Sequence, residues 1–238
     1  MERKLILGIL LIQAALTGVL IEEGTYGEWK DTYHAKSGYF ACGARLQFEI
    51  IDDHDELILT SGDQTAANAM KMTFCKFEEW DTQHEEGGDG LFGDWKENKM
   101  CPKDYYVSGF KVRMDPYHGM DEDTMLNGVI LRCSKPFTED YEDITVYEGR
   151  WGNWGGMKEA LANEFVSSFV LRLEDYCGTS IDDTAMNGII MNTTIISNIV
   201  DVEFNYTLPN TFDLEPVAIT TLYASNEAFS PTNKSLFF

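Results

Sequence analysis

The chain has 238 residues, 44% apolar and 13% aromatic. That is enough for one large all-β domain or two small ones with a packed core, and it excludes a disordered chain. The formal charge of −22 repels phosphate backbones and anionic lipid, which argues against nucleic acid and leaves basic proteins, cations or neutral glycans as partners, unless the acidity serves solubility alone.

The first segment reads as an export leader. Arg3 and Lys4 precede the apolar run LILGILLIQAAL, and QAALTG offers small residues for cleavage. The apolar stretch ends at Ile21, ahead of Glu22 and Glu23, and is short for a membrane span of roughly 20 residues. An uncleaved signal anchor is the alternative. Residues 1–20 thus read as a signal peptide and place the protein outside the cell. Losing Glu2, Arg3 and Lys4 makes the remainder one unit more acidic.

Three internal repeats follow, over about 24–77, 90–134 and 149–195. GTYGEW, GLFGDW and GRWGNW share Gly-x-x-Gly-x-Trp, with tryptophans at Trp29, Trp95 and Trp154. Thirteen residues after each Trp comes a second block: CGARLQFE from Cys42, SGFKVRMD from Ser108 and SSFVLRLE from Ser167. Equal spacing in three copies makes the repeat architectural. Inside these blocks apolar residues alternate with polar ones. Ala44, Leu46 and Phe48 oppose Arg45, Gln47 and Glu49. Phe110, Val112 and Met114 oppose Lys111, Arg113 and Asp115, and Phe169, Leu171 and Leu173 oppose Val170, Arg172 and Glu174. Period two with one buried face predicts half-exposed strands. The pattern resumes at Val129, Leu131 and Cys133, and at Ile189, Met191 and Thr193. Each copy is expected to be a small sheet, and three sheets close around one core.

An acid-Thr block ends each copy, at SGDQTAANA, DEDTMLNG and DDTAMNG, with Thr65, Thr124 and Thr184 separated by 59 and 60 residues. Asn127-Gly128 and Asn187-Gly188 read as turn signals ahead of strands. Asp63, Asp123 and Asp183 sit where short polar side chains bond nearby backbone amides; a glycan- or ion-binding part is the alternative. The first copy is longer between its second block and Thr65, with IIDDHDELILTSG as the insertion. EEWDTQHEEGGDG, residues 78–90, reads as a polar linker between copies one and two. In the tail, Val202, Phe204 and Tyr206 alternate and VAITTLYA offers another strand. Residues 196–238 therefore read as a C-terminal β extension that either covers an open edge or begins a further domain.

The blocks GDW, GNW, VSGFKVRM, VSSFVLRLE, DEDTMLNGVILRC and DDTAMNGII resemble the vitelline membrane outer layer protein 1 family, over residues 24 to 195. The resemblance implies a β-prism of three Greek-key-like sheets, secretion, and a non-catalytic structural place in an extracellular or egg-coat matrix, among coat proteins, basic ones included. By fold analogy it also implies a lectin-like, glycan-binding alternative. This chain has five cysteines, fewer than the family, and its first copy is the most divergent. The tail loosely resembles the start of an aerolysin-like pore-forming segment. A membrane becomes a partner only if the chain continues into such a region.

Cys101 and Cys133 of copy two correspond to Ala160 and Thr193 of copy three. Joint loss of both members is what a bond within one repeat produces, so Cys101–Cys133 is one expected disulfide. Cys42–Cys75 is the second, joining comparable parts of copy one. Each contributes roughly 3 kcal/mol in the chain-entropy model. Buried free thiols are the alternative, disfavoured in a secreted chain, and Cys177 is left over. Sequons at Asn192, Asn205 and Asn233 are candidate glycosylation sites. Trp29, Trp95 and Trp154 either stack on sugars or belong to the core; repetition favours the core. His34, His54, His84 and His118 have no zinc-ligand spacing, and DDHDEL lacks the glycine and closing Glu of a calcium loop. No nucleophile elbow or phosphate loop is present. No catalytic residue, metal or cofactor is expected.

Overall fold

The computed structural model describes residues 18–49, 66–115, 125–175 and 185–196, all within the compact unit Met1–Asn198. The described residues form strands and no helix, so none is long and apolar enough to cross a membrane. The described strands begin with β1 (Val19–Glu23), β2 (Glu28–Trp29) and β3 (Tyr33–His34). Next come β4 (Tyr39–Phe48), β5 (Ala67–Lys76), β6 (Glu79–Gly87), β7 (Asp94–Trp95) and β8 (Lys99–Met100). The same five recur as β9 (Tyr106–Asp115), β10 (Met125–Ser134), β11 (Tyr141–Glu148), β12 (Asn153–Trp154) and β13 (Lys158–Glu159). The last two are β14 (Glu164–Leu173) and β15 (Met186–Ile195).

The expected alternation holds at most positions; Gln47, expected outside, is buried, and Met114 and Leu173, expected inside, are partly buried. Ala44, Leu46, Phe110, Val112, Phe169 and Leu171 are buried, as are Val129, Leu131, Cys133, Ile189, Met191 and Thr193. In the first sheet β4, β5 and β6 run as a meander, and the chain returns to lay β7 beside β4, with β8 also on β4. The order β6-β5-β4-β7 is a Greek key. The second sheet repeats it as β11-β10-β9-β12, with β13 on β9. The third is β1-β15-β14-β2, with β3 on β14. Three such sheets around one core are an all-β prism.

The sheets are out of phase with the sequence repeats, which corrects the expectation that each copy forms its own sheet. Every Gly-x-x-Gly-x-Trp block hangs on the sheet of the preceding copy: Trp95 pairs with Gln47 and Trp154 with Arg113. Trp29 of the first copy pairs with Arg172 of the third, which closes the ring. The stretch read as a linker is corrected too, since residues 79–87 are β6. Trp80 is buried there, 5.4 Å from the Tyr106 ring. The charged residues around it line an edge strand, where charge discourages further pairing, and that charge is what made the stretch look like a linker. Residues 1–17, most of the expected leader, lie outside the described residues, as does the expected extension beyond residue 196. The expected leader boundary at residue 20 falls inside β1, whose Leu20 is buried.

Two residues before each second block stand Phe40, Tyr106 and Phe165, one per sheet. They meet edge to face, with ring centroids 5.9, 6.2 and 5.8 Å apart. Such pairs contribute about 0.5–1.5 kcal/mol each beyond burial. The Tyr106 hydroxyl reaches the Lys76 carbonyl at 3.4 Å, and burial pushes its pKa up to about 12.

Both expected disulfides are present. They are not equivalent, which corrects their reading as comparable parts of two copies. Cys42–Cys75 spans β4 and β5 at a β-bulge, and its counterparts are hydroxyl pairs: Ser108 with Ser134 at 2.6 Å and Ser167 with Thr194 at 2.7 Å. Cys101 follows β8 on the first sheet, while Cys133 lies in β10 of the second. That bond, within one sequence copy, joins two sheets. At the next junction Ala160 and Thr193 take the two places, and Thr193 donates to Glu164 at 2.8 Å.

Replacing Phe165 with Ala should cost about 3–5 kcal/mol in denaturant melts, because its two ring partners cannot close the gap. Phe137→Ala, at a side chain 41% exposed, should stay within about 0.5 kcal/mol. Equal midpoints for the two variants would remove the aromatic triad from the account.

Candidate functional site

Asn127-Gly128 and Asn187-Gly188 are not turns ahead of strands; both steps lie within strands, and this expectation is corrected. Each Asn occupies a β-bulge, unpaired in the register between Leu126 and Gly128 in one case and between Met186 and Gly188 in the other. Asn127 is 1% exposed and Asn187 fully buried. A buried amide must find partners, and here they come from the loop of the next repeat. The carbonyl of Asn127 accepts from Gly149 N at 2.6 Å, and its Oδ1 from Trp151 N at 3.4 Å. Asn187 does the same for Gly24 N at 2.6 Å and Tyr26 N at 3.3 Å. Both Nδ2 groups turn back to a carbonyl two residues earlier.

Arginines of the second block grip that loop from the other side. Arg113 donates to the carbonyls of Gly149, Arg150 and Gly152 at 2.9, 3.1 and 3.0 Å. Arg172 donates to those of Gly24 and Gly27 at 2.8 and 2.9 Å. In the first sheet Gln47 stands in, accepting from Gly90 N at 2.7 Å and donating to Gly93 O at 3.0 Å. The second glycine of each motif has a positive φ of 76–80°, and a Cβ there would sit 2.1–2.5 Å from backbone atoms of the gripping strand. The glycines are therefore required for this close approach.

The tryptophans are half-buried on the outer faces, one per sheet, which corrects the core reading. They face three directions and form no common site. Trp95 lies against Lys71 and Arg45, at 4.6 and 5.1 Å, Trp154 against Lys111 at 5.7 Å, and Trp29 against Arg172 at 5.9 Å. The edges of Trp29 and Trp154 lie 3.1 and 3.0 Å from where a Cβ on Gly188 or Gly128 would stand, so the glycine after each Asn makes room for the ring. Asp63, Asp123, Asp183, Cys177, Asn205, Asn233, His54 and His118 lie outside the described residues. Asn192 points outward from β15 and donates to Ser168 Oγ at 3.0 Å. Among the described residues no group of three His, Cys, Asp or Glu could hold a metal ion.

Among the described residues, a groove of about 150 Å³ lies between the β10–β11 hairpin and the loop joining β13 to β14. Its upper wall is an open loop where the first sheet has a tight turn. The first sheet turns tightly over Phe77 and Glu78 and takes up residues 80–82 as an irregularity in β6, whereas the second pairs Ser134 with Tyr141 across the open loop 135–140. Phe137 N donates to Asn163 Oδ1 at 2.7 Å and pins the hairpin across the groove. Arg132 forms one wall, bidentate to Asp143 at 2.8 and 3.0 Å and paired to Glu159 at 2.7 Å. The Asp143 carboxylate holds the guanidinium pKa above its ordinary value. Tyr141 lies over this guanidinium at 4.2 Å and is 60% exposed. Glu164, 4% exposed, lines the floor. None of these residues was singled out from sequence.

Two stability tests follow from this geometry. Asn187→Ala should cost about 1–3 kcal/mol, since loop N–H groups lose their buried acceptor, and Asn192→Ala far less. Equal losses from the two would contradict the bulge as a latch. His84 has a side chain 10% exposed, stacked on Phe74 at 5.5 Å. Burial first, then the charge of Lys36, lowers its pKa from 6.5, against an opposing pull from Glu86. The unfolded chain then takes up its proton at higher pH than the folded one, so stability falls as pH drops below about 6.5. His84→Gln should flatten that slope in urea melts, and an unchanged slope would exclude His84 as its source.

Residues 82–197 match the sequence model of the family described as Vitelline membrane outer layer protein I (VOMI). The mouse vitelline membrane outer layer protein 1 homolog is 35% identical over 104 residues, and the human homolog 31% over 103. Each alignment covers 42% of this chain and 50% of the relative, so the chain spans about half the length of the curated relatives it matches. Among solved structures, wild-type Malaysian banana lectin superposes with a TM-score of 0.44 at 13% identity, covering 76% of this chain and 99% of that one. Calsepa lectin in complex with bisected glycan gives 0.43 at 10%, covering 76% and 97%. The stretch from residue 82 within β6 to residue 197, which holds the second and third repeats, is thus the part of this chain similar in sequence to the vitelline membrane outer layer protein I family.

Proposed function

We propose that this protein is a secreted, non-catalytic structural module of an extracellular coat, of the egg-envelope kind that its relatives' names describe. The family match over residues 82–197 carries the reading. The build of the molecule agrees with it. Two disulfides, a three-ring axis and a chain closed on its own first strands suit a load-bearing part rather than one that must open and close. A carbohydrate-binding module is the second reading, favoured by the exposed face of Tyr141 at the groove. The pore-forming extension of that reading falls on residues 197–238, outside the described residues.

Expression of the full chain in a eukaryotic secretory host should deliver a soluble protein to the medium. Cleavage at or before Gly18 keeps β1 whole, so N-terminal sequencing should find a start at or before Val19. Glycosidase treatment should lower the mass through Asn205 or Asn233, and less so through Asn192. Incubation with oligosaccharides of N-acetylglucosamine should leave their lengths unchanged by mass spectrometry. Retention in the cell would overturn the secreted reading, and new oligosaccharide lengths would overturn the non-catalytic one.

A further inference from the structure

The groove is strongly acidic for its size. Glu139 and Asp140 stand on its rim, Glu159 stands there paired to Arg132, and buried Glu164 is beneath them. Its cations do not balance these. Arg132 is committed to Asp143 and Glu159, leaving Lys135 alone among the lining residues. One face of Tyr141 rests on Arg132, and its 60% exposure leaves the other open. A volume of about 150 Å³ admits a single side chain, not a helix or a folded loop.

We propose that this groove receives a lysine or arginine side chain presented by an extended segment of a basic partner protein. The cation sits over the open face of Tyr141, where the ring quadrupole attracts it, with the rim carboxylates as its counter-charges. A neutral sugar would desolvate the same carboxylates without returning charge to them. The formal charge of −22 steers a basic partner toward the molecule. The groove and its hairpin then give that attraction an address. The proposal rests on the reading that this chain works by association.

The test titrates the secreted full chain with a labelled Arg-Gly repeat peptide, using a Glu-Gly peptide and an N-acetylglucosamine oligosaccharide for comparison. The Arg-Gly peptide should bind, and binding should fade at about 1 M salt, where the Debye length is about 3 Å. Tyr141→Ala should weaken it about threefold or more, and Tyr141→Phe, which keeps the ring, should not. The combination Glu139→Gln, Asp140→Asn and Glu159→Gln should weaken it about tenfold or more. Removing equal charge elsewhere, with Glu28→Gln, Asp31→Asn and Asp94→Asn, should change it by about twofold at most. If that control weakens binding as much, the attraction belongs to the whole surface and the groove is wrong. A Tyr141→Ala variant that binds normally, or a Tyr141-dependent hold on the oligosaccharide instead, also overturns it. Wild-type protein secreted normally yet blind to the peptide would sink this proposal and leave the coat reading standing.

Discussion

The fold depends on the meeting of Phe40, Tyr106 and Phe165. A Greek key of five strands with one apolar face cannot bury that face alone. Each sheet sends one ring to the centre, and the three settle edge to face at 5.8–6.2 Å. The rings are inclined to one another by 67–75°, the edge-to-face arrangement that aromatic quadrupoles favour. The inward residues of β4, β9 and β14 then stack behind them.

The second constraint is closure. A ring of three units joined in sequence leaves one junction without a covalent link, between last and first. Here that junction is made like the other two, because the phase shift moves the Trp-bearing strands of every copy onto the sheet before it. Strands β1 to β3 therefore complete the sheet of β14 and β15. The grip on their loop is the one found elsewhere: Asn187 and Arg172 hold residues 24–27 as Asn127 and Arg113 hold 149–152. Opening that junction frees two loop N–H groups and leaves a buried amide and a guanidinium without their carbonyl and amide partners.

Much of this was legible in the sequence. Alternation in the second blocks identifies the core-facing residues, because period two and a single buried face leave few other solutions. The paired absence of Cys101 and Cys133 in the third copy identifies that disulfide. Other features were not legible. Asn-Gly is a turn dipeptide when followed by solvent and a bulge latch when a loop packs over it, and the dipeptide alone does not say which. Repeated tryptophans look like core, yet Trp29 and Trp154 seal the outside of a sheet over a glycine. Strand β6 hid because an edge strand with a charged outer face has the composition of a linker. The groove hid because two hairpins of similar length are shaped differently, one by a tight turn and an irregular strand and the other by an open loop, and a search for repeats looks for sameness.

That last point bears on where function resides. In the prism the threefold parts explain folding: the rings, the latches, the glycines at positive φ. A position kept alike in all three sheets, such as the bulge pair between the first and second long strand of each sheet, needs only to hold two strands together. A disulfide, two serines, or a serine and a threonine all do so. Specific recognition needs an asymmetric arrangement, since a threefold set of identical sites on three outward faces would present each partner with three addresses. The open loop at 135–140, where the first sheet has a tight turn, breaks the repeated pattern between two sheets that a disulfide does not join, while Cys101–Cys133 secures the junction before it. Rigid symmetry thus supports the place where the symmetry fails, and there Tyr141 and the acidic rim are exposed.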